Sequence, residues 1–449
     1  MKYTGKRIAI LGAGKSGIGA ALTAAKAGAH VLLSDAGHPH IDDEINRALR
    51  QAGAECAFGM QSIDIFSDAD RIIVSPGIPT DSPVLAEAKR LGIDIVGEIE
   101  LAYDMADAPI LGVTGTNGKT TTTALLAAVL KEAGKRIVVG GNIGDALSAE
   151  IMKAGACDYI IAELSSYQLE TIESFRTAGA IVLNLTPDHL ERHKTMEAYA
   201  TAKEGIFRNQ TPEGITVLNI DDPIVAEMEQ RVPGKCLHIS MRHPVADGAY
   251  TDEENCFAVC GGEVVPVLKT SEVPLAGAHN VENILAVIAL TYAIGIAPDA
   301  IRSGIVGFKA VPHRLEFVRE TGGVCYYNDS KATNTDAAVK ALQAFDVPIH
   351  LIVGGYDKMT DLTALMQEAA ADVVCLYLIG AASERFANAA EVAEIPYRFC
   401  GDMKAAVEAA GRAAVSGDVV LLAPACASYD QYTCFEERGD DFKRLVNAL

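Results

Sequence analysis

No stretch of this 449-residue sequence approaches the roughly 20 consecutive apolar residues that span a bilayer, so no membrane partner is expected. Nor is there a Cys-x-x-Cys pair. The ten cysteines are scattered from Cys56 to Cys434, which reads as reduced thiols in a cytoplasmic protein rather than as a disulfide framework. Cys256 and Cys260 could form part of a metal site, but the other ligands that zinc needs are missing around them. Basic side chains are in deficit, 38 against 59 acidic ones, for a net charge of −21. That balance disfavours nucleic acid, which a protein grips with a basic patch. It leaves room for small anions held by local lysines, arginines and helix N-termini. The basic start is followed by an apolar stretch that Gly12 and Gly14 break, a strand and turn rather than a signal peptide. No short-period repeat is present.

What is there is ordinary globular material, 49% apolar and 22% charged, long enough for about two to four domains. The first segment alternates strand and helix: strands at Arg7–Leu11, 30–33 and Arg71–Val74, with an alanine-rich helix over 18–27. This rhythm predicts a parallel, doubly wound sheet. A second segment opens near Pro109 with a strand at 110–113 and a helix over Lys119–Glu132, whose Leu125, Leu126, Val129 and Leu130 share one face. Strands are expected at 159–162, 181–183 and 216–218, and short glycine-punctuated strands over 236–268 predict a small antiparallel patch. A third segment returns to alternation near Val311-Pro312, with strands at 350–353, 375–379 and Val419–Leu422. The expectation is a three-domain α/β protein. A Rossmann-like domain spans 1–97, a P-loop ATPase-like domain with the antiparallel patch spans 98–310, and a second Rossmann-like domain spans 311–449.

Between the strand at 110–113 and its helix lies Gly115-Thr116-Asn117-Gly118-Lys119-Thr120-Thr121. In that context backbone N–H groups cradle phosphates at a helix N-terminus. Lys119 would reach the β- and γ-phosphates of ATP, and the Thr120 hydroxyl would reach Mg²⁺. The strict phosphate-loop pattern fails only at its first glycine, where Val113 stands. An exposed lysine after a chance glycine turn is the bland alternative, and the agreement of strand, loop and helix weighs against it. Gly12-x-Gly14-x-x-Gly17, with Asp35 closing the next strand, matches a dinucleotide fingerprint. The same turn could take the phosphates of another nucleotide. His189 and His193, at i and i+4, invite a zinc-protease reading, but Leu190 stands where that pattern needs Glu, so His193 is expected at the surface or as a cap.

Further motifs run along the whole chain in order. They are Gly141-Asn142-Ile143-Gly144, Glu163-Leu164-Ser165-Ser166-Tyr167-Gln168-Leu169, Asp188-His189 and His279-Asn280-x-x-Asn283. His313-Arg314-Leu315-Glu316 and Asn328-Asp329-Ser330-Lys331-Ala332-Thr333-Asn334 follow. Together with the loop at 115–120 they resemble the Mur ligases, ATP-dependent amide ligases that build the peptide of the bacterial cell wall. Ser330 to Asn334, the tail Pro424-Ala425-Cys426-Ala427-Ser428-Tyr429-Asp430-Gln431, and the Ser75-Pro76-Gly77 loop are most similar to the members that add D-glutamate.

The resemblance implies that ATP, UDP-N-acetylmuramoyl-L-alanine and D-glutamate react through an acyl phosphate. It turns the first glycine turn into a UDP site, with Lys15, Ser16, Gly17, Asp35, Ser75, Pro76 and Gly77 as its residues. Thr120 and Glu163 would hold one Mg²⁺, and His189 with a carbamylated Lys203 a second. A lone lysine such as Lys203 is otherwise most often a solvated surface group. Asn142 would help to hold phosphate or the acyl group. Asn283 and Asp329 resemble adenine and ribose contacts, and Arg314 can fork onto phosphate oxygens. Lys331, Thr333, Lys358 and Ser428, with Phe435 packing beside them, resemble the glutamate set. Mg²⁺ is physically reasonable, because each pair of like charges at 4 Å costs roughly 4 kcal/mol at an effective dielectric of 20, and one lysine cannot offset several. Small-molecule substrates and a monomer are the expectation. An NAD-dependent oxidoreductase, a folate-directed ligase and a non-catalytic nucleotide switch are the rival readings, and none explains all the motifs.

Overall fold

Strands that are apolar at every residue must be covered on both faces, and helices supply that cover. A computed structural model describes residues 2–449 apart from positions 40, 60, 61, 143, 253, 276, 310 and 358. Lys358, expected in the glutamate set, thus lies outside the described residues. Among those described, no helix is long and apolar enough to cross a membrane.

The first sheet holds β1 (Arg7–Leu11), β2 (His30–Asp35), β3 (Glu55–Phe58), β4 (Arg71–Val74) and β5 (Asp94–Gly97), all parallel. Its order is β3-β2-β1-β4-β5, so the chain switches direction between β1 and β4. A crevice opens outside the carboxyl ends of such a pair. The second sheet holds β6 (Ile110–Thr114), β7 (Ile137–Gly141), β8 (Tyr159–Glu163), β9 (Gly179–Val182) and β10 (Ile215–Asn219). It continues through β11 (Lys235–Ser240), β12 (Gly248–Thr251), β13 (Asn255–Cys260) and β14 (Glu263–Lys269), in the order β14-β13-β12-β11-β10-β9-β6-β8-β7. The third holds β15 (Glu316–Thr321), β16 (Val324–Asn328), β17 (Ile349–Gly354), β18 (Val373–Ile379), β19 (Tyr397–Gly401) and β20 (Val419–Leu422), in the order β15-β16-β20-β17-β18-β19. Each of the three expected segments therefore contributes one sheet. The antiparallel patch is narrower than expected. Parallel pairing runs from β10 through β11 to β12, and only β12–β13 and β13–β14 are antiparallel.

By compactness the chain divides into two units, Met1–Glu272 with Glu282–Gly307, and Val273–Val281 with Phe308–Leu449. Within the first unit, two buried acids on the helix Glu98–Met105 join the first two sheets' territories. Glu98 accepts from Ser148 N–H at 2.6 Å. Glu100, fully buried, accepts from the N–H groups of Glu173 (2.8 Å), Ser174 (2.8 Å) and Phe175 (3.0 Å) and from the Ser174 hydroxyl. Removing that carboxylate leaves three backbone donors unsatisfied. Glu100→Ala is expected to cost about 3 kcal/mol, read as a lowered urea midpoint at unchanged slope. A midpoint equal to that of the parent would show that water replaces the carboxylate at no cost.

Candidate active site

The phosphate loop is built by its strand and helix. Thr114 at the end of β6 donates from its hydroxyl to Leu164 O at 2.7 Å. The helix Lys119–Glu132 starts at Gly118, whose φ of 84° is in the left-handed region that favours glycine, and no side chain caps it. A Cβ at Gly118 would also collide with the side-chain oxygen of Asn283, so Asn283 lies against the loop. The loop is braced from β9's far end. Asn184 O accepts from Thr116 N–H (2.9 Å), and its side chain exchanges bonds with Asn117 N–H (2.8 Å) and Asn117 O (3.2 Å). The Thr116 hydroxyl donates to Thr186 O and lies 3.2 Å from the Tyr199 hydroxyl. Thr116 and Asn117 thus shape the loop. Asn184 and Tyr199 were missed by the motif reading, because nothing near them in sequence marks them as loop partners. Lys119 Nζ lies along the loop, donating to Gly115 O at 2.9 Å and Thr116 O at 2.7 Å.

Sheet order brings the acidic side to the same place. β6 lies between β8 and β9, and β7 pairs with β8, with Val113 opposite Glu163 and Gly141 opposite Glu163. Glu163 is buried. One carboxylate oxygen accepts from Asn142 Nδ2 at 2.8 Å, and the other has no hydrogen-bond partner among the described residues. A buried carboxylate oxygen without a partner is costly, and a hard cation would satisfy it. The residues therefore fit the Mg²⁺ that the chemistry calls for.

Lys203, on the helix Met196–Arg208, is 1% exposed, not solvated. Its amine donates to Gly115 O at 2.7 Å and lies 4.7 Å from the centre of the Tyr199 ring. Burial holds its pKa well below the ordinary lysine value, the charge of Lys119 lowers it further, and Asp188 and Glu163 oppose both. His189 is half-buried in the left-handed backbone region, with φ 56° and Nε2 3.6 Å from Asp188 Oδ2. His193 corrects an expectation. It is buried rather than at the surface, with Nε2 2.9 Å from the Ser166 hydroxyl and Nδ1 3.2 Å from Glu170, and it packs between Tyr167 and Tyr199. The four-residue helix Leu190–His193 turns it inward, so it supports the wall behind His189.

At the switch point of the first sheet, the two expected loops meet. The Ser75 hydroxyl donates to Gly12 O at 3.1 Å, and a side chain at Gly17 would collide with that same carbonyl. Lys15 and Ser16 open the helix Lys15–Lys26, which no side chain caps, while Pro76 and Gly77 follow β4. Asp35 accepts from Ala13 N–H at 2.8 Å and Gly37 N–H at 2.9 Å, so its carboxylate also fixes the turn.

The remaining described residues lie on the second unit: Asp329, Lys331, Thr333 and Ser428 follow the neighbouring strands β16 and β20, Arg314 precedes β15, and Phe435 opens the helix Phe435–Asn447. Burial raises the pKa of Asp329 to about 7 against the opposing charge of Arg314 and the Leu315 N–H. Lys331 Nζ sits 3.8 Å from the centre of the Phe435 ring. Thr333 N–H donates to Lys331 O at 2.8 Å, and Ser428 is buried after β20. Arg438 is the second unit's missed residue. It is 1% exposed and donates to the Ser330 hydroxyl (3.0 Å), Ser330 O (2.8 Å) and Ala427 O (3.2 Å), tying the β16 and β20 loops together. Burial lowers its pKa to about 10. A signal existed: on the helix Phe435–Asn447, Arg438 shares the apolar stripe with Phe442 and Val446.

Three family models match in order: the Mur ligase MurD-like N-terminal domain over residues 6–97, the Mur ligase middle domain over 113–291, and the Mur ligase glutamate ligase domain over 313–426. A UDP-N-acetylmuramoylalanine–D-glutamate ligase of Acidobacterium capsulatum is 43% identical over 450 residues, covering 100% of this chain and 97% of that protein. Its counterpart in Pelotomaculum thermopropionicum is 42% identical over 448 residues, covering 100% and 98%. Among solved structures, the UDP-N-acetylmuramate-alanine ligase MurC of Thermotoga maritima aligns with a TM-score of 0.63 at 19% identity, covering 99% of each chain. The MurF ligase of the same organism, solved in complex with ADP, aligns at 0.61 and 18% identity, covering 93% of this chain and 95% of that one.

Proposed function

The chain belongs to the Mur ligase family, and we propose that within it this protein joins D-glutamate to UDP-N-acetylmuramoyl-L-alanine, with ATP converted to ADP and phosphate. The observation that carries the reading is identity of about two residues in five, along the whole chain, with proteins named for that reaction.

The substrate carboxylate attacks the γ-phosphorus and ADP leaves. The amine of glutamate then attacks the acyl phosphate, loses a proton, and phosphate departs. The chain's groups serve the charge problem in this sequence. Lys119 and the open helix N-terminus face the phosphates, Asn142 and Arg314 hold phosphate or acyl oxygens, and Asn283 contacts the adenine. Thr120 and Glu163 would hold one Mg²⁺, and His189 with Lys203 a second; the ions would supply positive charge against the phosphoryl oxygens. Lys15, Ser16, Gly17, Asp35, Ser75, Pro76 and Gly77 receive the UDP sugar. Lys331, Thr333, Ser428 and Phe435, with Lys358, receive glutamate, and Asp329 the ribose. These roles divide over 1–97, 98–310 and 311–449.

The test is the mass of the product made from the UDP-sugar, ATP and each glutamate enantiomer. Product is expected with D-glutamate and not with L-glutamate, and sustained ADP release, beyond one equivalent per enzyme, only when both the UDP-sugar and glutamate are present. Amide formed equally well from L-glutamate would overturn the assignment.

Lys203 enters as a carbamate: its unprotonated amine adds to CO₂, forming an N–C bond and releasing one proton. An amine held unprotonated by burial is the nucleophile that this addition needs. With ¹³C-bicarbonate, a carbamate carbon signal is expected in the intact protein and not in Lys203→Ala. Identical spectra for the two proteins would remove the carbamate from the site.

A further inference from the structure

Three strands away from the phosphate-loop strand β6, a second group of metal-type side chains converges on one nitrogen. Cys236 and His238 are i and i+2 on β11, so both point to the same face of the sheet. The 3₁₀ turn Glu229–Arg231 brings Glu229 back over that face. Cys236 Sγ lies 3.6 Å from His238 Nε2, and the same nitrogen lies 3.3 Å from Glu229 Oε1. All three ligand atoms fall within 4.8 Å of one another.

We propose that Glu229, Cys236 and His238 form a zinc site that none of the family's phosphate chemistry requires. Tetrahedral zinc, with bonds of about 2.3 Å to sulfur and about 2.0–2.2 Å to nitrogen and oxygen, puts sulfur and nitrogen about 3.5 Å apart and nitrogen and oxygen about 3.4 Å apart. Those are the separations in the fold. Without a cation, Nε2 can accept from the thiol or donate to the carboxylate, but not both at once. With a cation, all three donate lone pairs to one centre. The ligand set is soft sulfur, imidazole and one carboxylate, which selects Zn²⁺ over Mg²⁺. Thiolate and carboxylate together neutralise the ion. Binding breaks the S–H bond, forms a Zn–S bond and releases one proton to solvent. The Glu229 side chain is 54% exposed and that of His238 22%, so the fourth position opens to water. Two ligands sit on a strand paired on both sides, which makes them rigid, and the ion would clip the preceding turn onto it. Cys256 and Cys260, paired in the sequence reading, stand four residues apart on β13, about 13 Å along the strand, and cannot share an ion.

The test uses the full-length protein after dialysis against a chelator. ADP and excess Mg²⁺ are present to fill the nucleotide site. Cobalt(II) is added as the probe. One equivalent is expected to give a near-ultraviolet thiolate-to-cobalt charge-transfer band, bleached by stoichiometric zinc. Cys236→Ser should abolish the band. Glu229→Gln, at an exposed position that threatens folding least, should weaken cobalt binding on the order of tenfold or more. Ligase turnover should be unchanged in Glu229→Gln. No band in the parent protein, or a band that survives Cys236→Ser, would overturn the site.

Discussion

Lys119→Ala is expected to lower ADP formation about a thousandfold while leaving the fold intact. Lys119 Nζ lies within 2.9 Å of two carbonyls of the phosphate loop, so it already stands where a β,γ-phosphate would be cradled. One positive charge about 4 Å from a developing phosphate charge is worth roughly 4 kcal/mol at an effective dielectric of 20, and each 1.36 kcal/mol is about tenfold in rate. The side chain is only half-buried, so the urea midpoint should barely move. A second consequence follows from charge. Lys119 is one of the groups that depress the pKa of Lys203. Its removal lets Lys203 hold its proton more readily, so the ¹³C carbamate signal should weaken as well. Near-parental ADP release in Lys119→Ala would end the assignment of the loop.

Glu163→Gln is expected to separate catalysis from stability. Turnover should fall by about two orders of magnitude or more, because a neutral amide cannot hold Mg²⁺ against the phosphates. Stability without nucleotide and Mg²⁺ should hold or rise. The parent buries a carboxylate oxygen with no hydrogen-bond partner among the described residues, and neutralising such a group removes a desolvation penalty of about 1–3 kcal/mol. The amide oxygen can still accept from Asn142. Paired urea titrations and Mg²⁺-dependent ADP assays measure both arms. A variant that is destabilised yet active at ordinary Mg²⁺ would show that Glu163 is a structural acid.

How well the elements could be read follows burial. Strands Arg7–Leu11, Arg71–Val74 and Val419–Leu422 match the structure to the residue, because they are apolar runs in sheet interiors. β3 (ECAF) and β19 (YRFCG) escaped notice, because they are edge strands with little buried apolar surface. The β15–β16 hairpin also escaped, although its two-residue Gly322-Gly323 turn was a readable signal. Parallel β11 falls within the stretch where the sequence predicts the antiparallel patch, because glycine-punctuated polar strands carry no mark of pairing direction.

The loop from Gly115 to Thr121 and the turn from Gly12 to Gly17 could be recognised from contiguous residues, since a strand, a glycine turn and a helix N-terminus are local structures. The order of motifs along the chain was enough to identify the family. Which distant residues meet is another matter, because strand order in a sheet is not written in any local pattern. β8 lies between β6 and β7, and that order alone sets Glu163 beside Asn142. The depressed pKa of Lys203, the inward turn of His193, the tether of Arg438 and the meeting of Glu229 with Cys236 and His238 all depend on burial and on contacts across the fold. Burial and long-range contact exist only once the chain has packed.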